Sequence, residues 1–171
     1  IKLCEYHNYQ YNTNFMSLVP CNLYGYNDHF EIKNSHVISS LIYKFFQAKL
    51  NLLDSVEVWG TGTTRREFLF VEDFVDAMIF FISNFDAKSI NNFVNIGSGA
   101  DLTISELAIL IKNIVGYQGE IKFNSEKADG MPKKLLDVSK SNRLGWCAKV
   151  TLTEGLNMTY NWFLKEHNLL E

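Results

Sequence analysis

Two segments of the chain carry side chains that could do chemistry together. The first, Asn34–Ile38, places His36 beside the start of an expected helix, and an imidazole titrates near neutral pH and suits general acid–base catalysis. The second, Trp59–Phe68, joins an indole at a strand end to a glycine-containing loop that ends at Arg66. An indole stacks on a base or a sugar, and a guanidinium binds phosphate through two parallel hydrogen bonds. These residue types predict a site for an anionic, sugar-like ligand, although an exposed histidine, a core tryptophan and a solvated basic pair would give the same pattern.

Two further positions could add to such a site. Lys134 follows the turn Asp129-Gly130-Met131-Pro132, where it could bind an anion or simply be solvated. Gly97-Ser98-Gly99 lies between an expected strand and an expected helix, which is a context in which backbone amides meet phosphate. Leu102 stands where a dinucleotide fingerprint needs its third glycine. A tight turn is therefore the favoured interpretation of this glycine pair.

The spacing of cysteines and histidines argues against a metal site. Cys4, Cys21 and Cys147 lie far apart without a C-x-x-C pair, and the four histidines show no ligand spacing. An odd, scattered set of cysteines is typical of reduced, packed thiols in a cytosolic protein. We therefore expect no metal and a cytoplasmic location.

The composition is that of a globular domain with a sizeable core. Of the 171 residues, 47% are apolar and 14% are aromatic, and the formal net charge is −3. The mildly negative charge argues against a nucleic-acid partner. The longest apolar run, Ala77 to Ile82, is too short to span a bilayer, so no membrane association is expected.

Alternating helix-like and strand-like segments must position the candidate residues, and they indicate an α/β class. Ser35 is expected to cap a helix from His36 to about Leu50. Between Pro20 and Ser35 the pattern is aperiodic and predicts a long loop. The other expected elements are helices opening at two capping boxes (Thr103 with Glu106, Thr151 with Glu154), helices at 1–9 and after 71, strands at 15–19, 56–59, 67–71, 93–96 and 120–123, and an extended piece at 134–137.

The same residues match a known family in order along the chain. The whole chain resembles the C-terminal half of the GDP-L-fucose synthases, a branch of the extended short-chain dehydrogenase/reductases. The segments Ser35-His36-Val37-Ile38 and Lys134-Leu135-Leu136-Asp137 are more specific to this branch than the motifs that all extended reductases share. The other matching segments include Ile1–Glu5, Asn22–Gly25, Trp59–Thr63, Arg66–Leu69, Asn95–Gly99, Thr103–Ala108, Val115–Gly119, Leu144–Trp146 and Trp162–Leu164.

The resemblance implies the end of a Rossmann-type domain followed by a small α/β substrate-binding domain. Residues 1–35 would be a remnant of the NADP-binding Rossmann domain. Residues 36–171 would be mostly the substrate-binding domain, with 67–96 returning to the Rossmann part. The full-length protein would be a cytosolic, NADP-dependent homodimer, with the first helix as its dimer helix.

The resemblance also implies the chemistry. NADPH and a GDP-linked 4-keto-6-deoxy sugar would share one cleft, in which GDP-4-keto-6-deoxy-D-mannose becomes GDP-L-fucose. The keto group acidifies the neighbouring carbons, so epimerisation would proceed through enolates before hydride reduces the ketone. His36 matches the family's acid for the epimerisation steps and would also contact the cofactor. Its cysteine partner should lie upstream and is none of the cysteines in this chain.

The remaining site positions are carried over in the same way. Pro20, Cys21, Asn22 and Leu23 match the segment that passes the nicotinamide end of the cofactor. Val37, Lys44, Trp59, Arg66, Asp129 and Lys134 match contacts to the sugar nucleotide. The family more often has threonine at Cys21 and often has arginine at Lys44, where lysine keeps the charge but loses the bidentate fork.

By the resemblance, the glycine-rich nucleotide loop, the Ser/Tyr/Lys group and the cysteine base belong to a segment before Ile1. We therefore expect the 171-residue chain alone to be inactive. One alternative is a sister enzyme acting on another GDP-4-keto sugar such as a heptose, because a change of one methylene in a pocket is worth only about 1–3 kcal/mol. The other alternative is a non-catalytic fragment that binds a nucleotide sugar.

Overall fold

The computed structural model describes residues 1–30 and 35–167, and its helices and strands alternate as the predicted α/β class requires. Asn34, the first residue of one candidate segment, lies outside the described residues, as do residues 168–171. Within the described part, no helix combines the length and apolar character needed to cross a bilayer.

The described residues form six helices and eight strands, which are connected by loops. In chain order they are α1 (Lys2–Tyr11), β1 (Ser17–Pro20), β2 (Asn22–Tyr24), α2 (Val37–Leu50), β3 (Ser55–Trp59), β4 (Arg65–Phe70), α3 (Val71–Asn84), β5 (Phe93–Ile96), β6 (Asp101–Thr103), α4 (Ile104–Val115), β7 (Glu120–Asn124), β8 (Lys133–Lys134), α5 (Ser139–Arg143) and α6 (Leu152–Glu166).

Strand β4 pairs with three other strands, β2, β6 and β8. Its first residues pair with β6 in antiparallel fashion and with β8 in parallel, so that Arg66 lies opposite both Leu102 and Lys134. Its last residues, Phe68–Phe70, pair in parallel with β2. Strands β1 and β5 form a second parallel pair, and β3 and β7 form a third. One strand therefore carries a candidate anion-binding arginine at its start and core residues at its end.

The core consists of two hydrophobic clusters on either side of β4. Phe68 and Phe70 belong to the larger cluster, which includes residues of α2, β3, α4 and α6. Leu69 belongs to the second cluster, together with Phe81 of α3 and Val94 of β5. Because neighbouring side chains of a strand point to opposite faces, β4 contributes to both clusters.

Both predicted capping boxes are present. The Thr103 hydroxyl accepts a hydrogen bond from the Glu106 amide at 3.1 Å, and a Glu106 carboxylate oxygen accepts from the Thr103 amide at 2.7 Å. Thr151 and Glu154 make the equivalent bonds at 3.3 and 3.0 Å. These boxes begin α4 and α6, which both contribute to the larger cluster.

The long loop predicted from Pro20 to Ser35 is wrong in part, because β2 lies within it. Three residues are too few to show a two-residue period, so only the pairing with β4 makes this segment a strand. Strand β6, also of three residues, was missed for the same reason, and the five residues of α5 are too few to show the helical period.

The prediction that Ser35 caps α2 is also wrong. His36 is the N-cap residue, and no side-chain hydrogen bond caps the helix. Ser35 lies one residue before the capping position, and its buried hydroxyl has no hydrogen-bond partner in the described residues. The Ser39 hydroxyl instead donates to the His36 carbonyl at 3.1 Å.

The cysteines are free thiols but are not all packed as predicted. Cys147 is exposed, and Cys4 and Cys21 are half-buried. Next to Cys147, the indole of Trp146 is 3% exposed and fills the second cluster. Trp146, rather than the neighbouring Cys147, is therefore the buried residue at this point of the chain.

Candidate active site

A cavity of about 680 Å³ opens between the β1–β2 junction, the start of α2 and the end of β3. This volume falls within the range of small-molecule sites, which is roughly 300–1,000 Å³. Its lining includes all the candidate residues except Lys134, namely Pro20, Cys21, Asn22, Leu23, His36, Val37, Lys44, Trp59, Arg66 and Asp129. Residues that are far apart in sequence therefore face one space, as the sequence predicts.

The Pro20–Leu23 segment forms one wall because the chain changes strand partners there. Pro20 pairs with Ile96 of β5, and the Cys21 amide still donates to the Ile96 carbonyl at 3.0 Å. Asn22 then pairs with Phe68 of β4. The Asn22 side-chain amide donates to the Glu67 carbonyl at 2.7 Å. This bond holds the chain where it leaves the β1–β5 pair and enters the β2–β4 pair.

Cys21 lines this wall as a neutral thiol. Burial, and then the nearby Glu67 carboxylate, raise its pKa to about 12. Thiolate is the reactive form of cysteine, and at neutral pH this side chain is almost entirely protonated. Cys21 therefore suits neutral contact with a ligand and does not suit the role of a catalytic base.

The Gly97-Ser98-Gly99 segment is a tight turn in which the Gly99 amide is already used by a carboxylate. The buried Glu67 carboxylate accepts hydrogen bonds from the Gly99 amide at 2.7 Å and from the Leu136 amide at 2.9 Å. A side chain at position 97 would collide with this carboxylate. A carboxylate here would also repel a phosphate, so the favoured interpretation as a structural turn is confirmed.

His36 presents its ring at the mouth of the cavity. Its side chain is 82% exposed, and Nδ1 lies 3.4 Å from an Asp28 carboxylate oxygen. A carboxylate accepts hydrogen bonds, so a hydrogen bond at this contact would use a proton on Nδ1. The same Asp28 oxygen accepts from the His29 amide at 2.8 Å, which orients the carboxylate. This arrangement leaves Nε2 of His36 as the nitrogen that can exchange a proton with a ligand.

Trp59 at the end of β3 and Lys44 of α2 line the same cavity. The Trp59 side chain is 59% exposed. The Lys44 ammonium lies 5.2 Å from the ring centroid of Trp59 and donates to the Glu57 carbonyl at 3.0 Å. Lys127 provides a second ammonium group 5.6 Å from the same ring. Burial lowers the pKa of Lys44, and the nearby charge of Glu57 opposes that shift.

Arg66 and Lys134 lie on adjacent strands. Arg66 Nη1 donates to the Met131 carbonyl at 2.6 Å and to the Arg65 carbonyl at 2.8 Å, which anchors one arm of the guanidinium. Lys134 is exposed and lies outside the cavity lining, although it pairs in register with Arg66. Two cations thus flank one edge of the site.

Asp129 closes the glycine loop after Trp59. One carboxylate oxygen accepts from the Thr61 amide at 2.7 Å, and the other accepts from the Thr61 hydroxyl at 2.8 Å. Gly60, which has φ of 86°, leaves room for this carboxylate where a side chain would collide. Asp129 therefore holds the loop in shape while it lines the cavity.

Several residues of the site escaped the sequence interpretation. Tyr24, Ser40 and Thr64 line the cavity, and their types and positions gave no signal. Asp28 lies in an aperiodic loop, so nothing in the sequence pointed to its contact with His36. Glu57 could have been found, because it precedes Trp59 by two positions in a strand and so shares its face.

Comparison with known proteins identifies the family. Residues 1–97 match the family model described as the NAD dependent epimerase/dehydratase family. The chain belongs to this family.

Proteins similar to the chain include several that are named for GDP-linked sugars. The chain is 46% identical over 165 residues to GDP-L-fucose synthase 1 of Arabidopsis thaliana, covering 96% of the chain and 50% of that protein. It is 36% identical to a GDP-6-OMe-4-keto-L-xylo-heptose reductase from C. jejuni, with a TM-score of 0.91, covering 96% of the chain and 58% of the other. It is also 36% identical to a GDP-mannoheptose C4 reductase from Campylobacter jejuni with NADP bound, with a TM-score of 0.83, covering 95% of the chain and 56% of that chain. The chain spans about half the length of the curated relatives that it matches.

Proposed function

We propose that the chain is part of an NADP-dependent epimerase-reductase that converts GDP-4-keto-6-deoxy-D-mannose to GDP-L-fucose. The observation that carries the proposal is one cavity whose lining combines a histidine with a tryptophan that has cationic neighbours. The similarity to a GDP-L-fucose synthase along nearly the whole chain supports it.

The nucleotide sugar would span the cavity. Trp59 offers a flat, exposed ring for stacking on the base or sugar, and Lys44 and Arg66 offer positive charge for the diphosphate. Lys134 would act from the neighbouring strand, beside Arg66. Val37 lines the cavity next to His36 and would contact the sugar. Asp129 would support these contacts mainly by holding the glycine loop.

The wall formed by Pro20, Cys21, Asn22 and Leu23 fits the nicotinamide end of NADP, with His36 nearby. Pro20 has no amide proton, the thiol of Cys21 is neutral, and the side chain of Asn22 is held by Glu67. These four residues therefore form a wall without an ionised group. Such a wall suits the flat nicotinamide ring, whose charge changes during the reaction. When bound, the cofactor supplies hydride to the keto carbon.

His36 would return protons to the carbons beside the ketone. Nδ1 faces Asp28, so Nε2 is the nitrogen that would deliver a proton to the enolate, from a ring that carries a proton on Nε2. Arg66 and Lys44 would balance the diphosphate charge and hold the sugar in register with His36. Positioning of this kind contributes to rate because the reacting atoms are held at close range.

We also propose a division into two domains and a homodimer. Residues 1–35 and 67–96 would belong to the Rossmann part and the remainder to the substrate-binding domain, and the presence of Leu69, Val94 and Ile96 in the second cluster supports this division. Helix α1 exposes Leu3, Tyr6 and Tyr9, which are 72%, 67% and 92% exposed, and this surface supports dimerisation through α1. A cytoplasmic location is consistent with the free thiols.

A sister activity on a GDP-4-keto heptose is the second candidate, and the TM-score of 0.91 with the C. jejuni heptose reductase favours it. The test is to express the complete gene product that contains this chain and to follow NADPH consumption with each keto sugar. A higher kcat/KM for the 6-deoxy hexose supports GDP-L-fucose synthesis, and a higher value for the heptose supports the sister activity. Tight binding of both sugars without NADPH consumption would leave only nucleotide-sugar binding.

A further inference from the structure

Glu57 lies beside the cavity and connects groups on two strands. One of its carboxylate oxygens accepts a hydrogen bond from the Trp59 indole at 3.1 Å, and the other accepts from the Asn124 side-chain amide at 3.1 Å. Its backbone carbonyl accepts from Lys44. Both carboxylate oxygens therefore have partners, and one of these partners is the exposed ring of the proposed nucleotide-sugar site.

The register of β3 and β7 explains this arrangement. Trp59 lies directly opposite Asn124, and Glu57 precedes Trp59 by two positions on the same face of β3. An exposed tryptophan can rotate about its side-chain bonds, and stacking on a ligand must stop this rotation. A hydrogen bond at the indole edge restricts the ring before the ligand arrives, which reduces the entropy lost on binding.

We propose that Glu57 is a positioning residue that fixes the plane of the Trp59 indole for binding of the nucleotide sugar. This inference rests on the proposed function, in which Trp59 contacts the GDP sugar. It adds a residue outside the cavity that sets affinity through Trp59 without touching the ligand.

The position requires a carboxylate because both partners are donors. An ionised carboxylate accepts from the indole and from the amide at once, whereas glutamine has one accepting oxygen and one donating nitrogen. Asn124 cannot turn its amide to compensate at no cost, since its side-chain oxygen accepts from the Glu126 backbone amide at 3.1 Å. The substitution Glu57→Gln must therefore lose one of the two bonds.

A purely structural role would have a different signature. The backbones of β3 and β7 pair over their full length, from Ser55 with Glu120 to Trp59 with Asn124. If Glu57 only held these strands together, its substitution would lower thermal stability and would leave ligand affinity unchanged. Affinity and stability therefore separate the two roles.

The experiment measures binding of GDP-mannose, a GDP sugar without the keto group, to the complete gene product by calorimetry. We expect Trp59→Ala to weaken binding about tenfold or more, as loss of a stacking platform does. Glu57→Leu loses both hydrogen bonds, whereas glutamine can keep its oxygen on the indole, so Glu57→Leu is the informative change. It should weaken binding roughly 3- to 10-fold, with little change in melting temperature. Adding Glu57→Leu to Trp59→Ala should cause no further loss, because Glu57 acts through Trp59.

The matched control is Glu120→Leu, the same change at an exposed carboxylate at the far end of the same strand pair, which should leave affinity unchanged. The assignment of Glu57 is overturned if Glu57→Leu binds like the wild type, or if it costs the same factor in the Trp59→Ala background. If the wild type does not bind GDP-mannose at all, both the assignment of Glu57 and the proposed function fail.

Discussion

The proton chemistry of the site depends on the contact between His36 and Asp28. The imidazole is exposed to the cavity mouth, while the Asp28 side chain is only 13% exposed and is held by the His29 amide. The fixed member of the pair is therefore the carboxylate, and it faces Nδ1 of the exposed ring. A 3.4 Å separation is long for a hydrogen bond, and such contacts often shorten when a ligand binds.

The substitution His36→Asn removes the group that would deliver protons to the sugar. We expect incorporation of solvent deuterium into the keto sugar to slow by about 10²- to 10⁴-fold, the usual contribution of a general acid. Binding of GDP-mannose should stay near the wild-type value, because the nucleotide end of the cavity is intact. Mass spectrometry of the sugar and calorimetry measure the two quantities on the complete gene product.

The neighbouring histidine provides the control for this experiment. His29 is exposed and contributes only its backbone amide to Asp28. The His29→Asn variant should therefore incorporate deuterium into the keto sugar at the wild-type rate. Deuterium exchange at an unchanged rate in His36→Asn would show that another group delivers the proton.

The sequence identifies site residues whose chemistry is specific to their type. His36, Trp59 and Arg66 can be chosen because few side chains titrate near neutral pH, stack or bind phosphate bidentately. Asp28 and Glu57 could not be chosen with the same certainty, because aspartate and glutamate are common surface residues. Their roles depend on which donor lies within about 3 Å, and this is set by the fold.

Among the elements, the helix starts marked by a capping box were the most predictable from sequence, because a capping box is a local hydrogen-bond pattern, whereas the cap expected from Ser35 alone was wrong. The bonds that begin α4 and α6 were both expected and are both present. Short strands such as β2 and β6 could not be predicted, since three residues carry no measurable period and their strand state depends on β4. Cavity-lining residues near these strands were missed for the same reason.

The capping carboxylates predict a pH dependence of stability. Hydrogen bonds from the Thr103 backbone and hydroxyl lower the pKa of Glu106 below 4.5, and those from the Thr151 hydroxyl and backbone lower the pKa of Glu154. A carboxylate with a lowered pKa in the folded state stabilises fully above its unfolded pKa of 4.5, and this contribution is lost as the pH falls through the folded value. The double substitution of both glutamates by glutamine should therefore lower the melting temperature at neutral pH. The difference from the wild type should shrink as the pH falls below 4.5.

Thermal unfolding followed by circular dichroism at several pH values measures this difference. Glu72→Gln is the matched control, because Glu72 also lies in the first turn of a helix, but no side-chain bond caps that helix. A difference that stays constant or grows as the pH falls would contradict the role assigned to the two capping carboxylates.

At the scale of the whole molecule, β4 joins the two clusters of the core and carries Arg66 at its start. A ligand bound between the β1–β2 junction and β3 would therefore contact elements from both clusters. This placement is typical of enzymes that bring two ligands together at the boundary between two parts of a fold.

The exposed face of α1 leads to a prediction about assembly. Replacing Tyr6 and Tyr9 by glutamate should convert the proposed homodimer into monomers, because a two-fold interface places each new charge against the same surface of the partner. Sedimentation velocity of the complete gene product measures the change. Ile109→Glu, at an exposed position of α4, is the control that should remain dimeric. A double variant of α1 that still sediments as a dimer would exclude this helix from the interface.

The measurement that tests the central claim most directly is turnover of GDP-4-keto-6-deoxy-D-mannose by the complete gene product, with NADPH consumption and the product sugar followed together. The account predicts that NADPH is consumed in equal amount to the keto sugar and that the product is GDP-L-fucose. Consumption of NADPH with a product that keeps the original configuration beside the keto carbon would contradict the epimerase assignment of His36. Absence of any consumption, with the sugar bound, would contradict the enzyme itself.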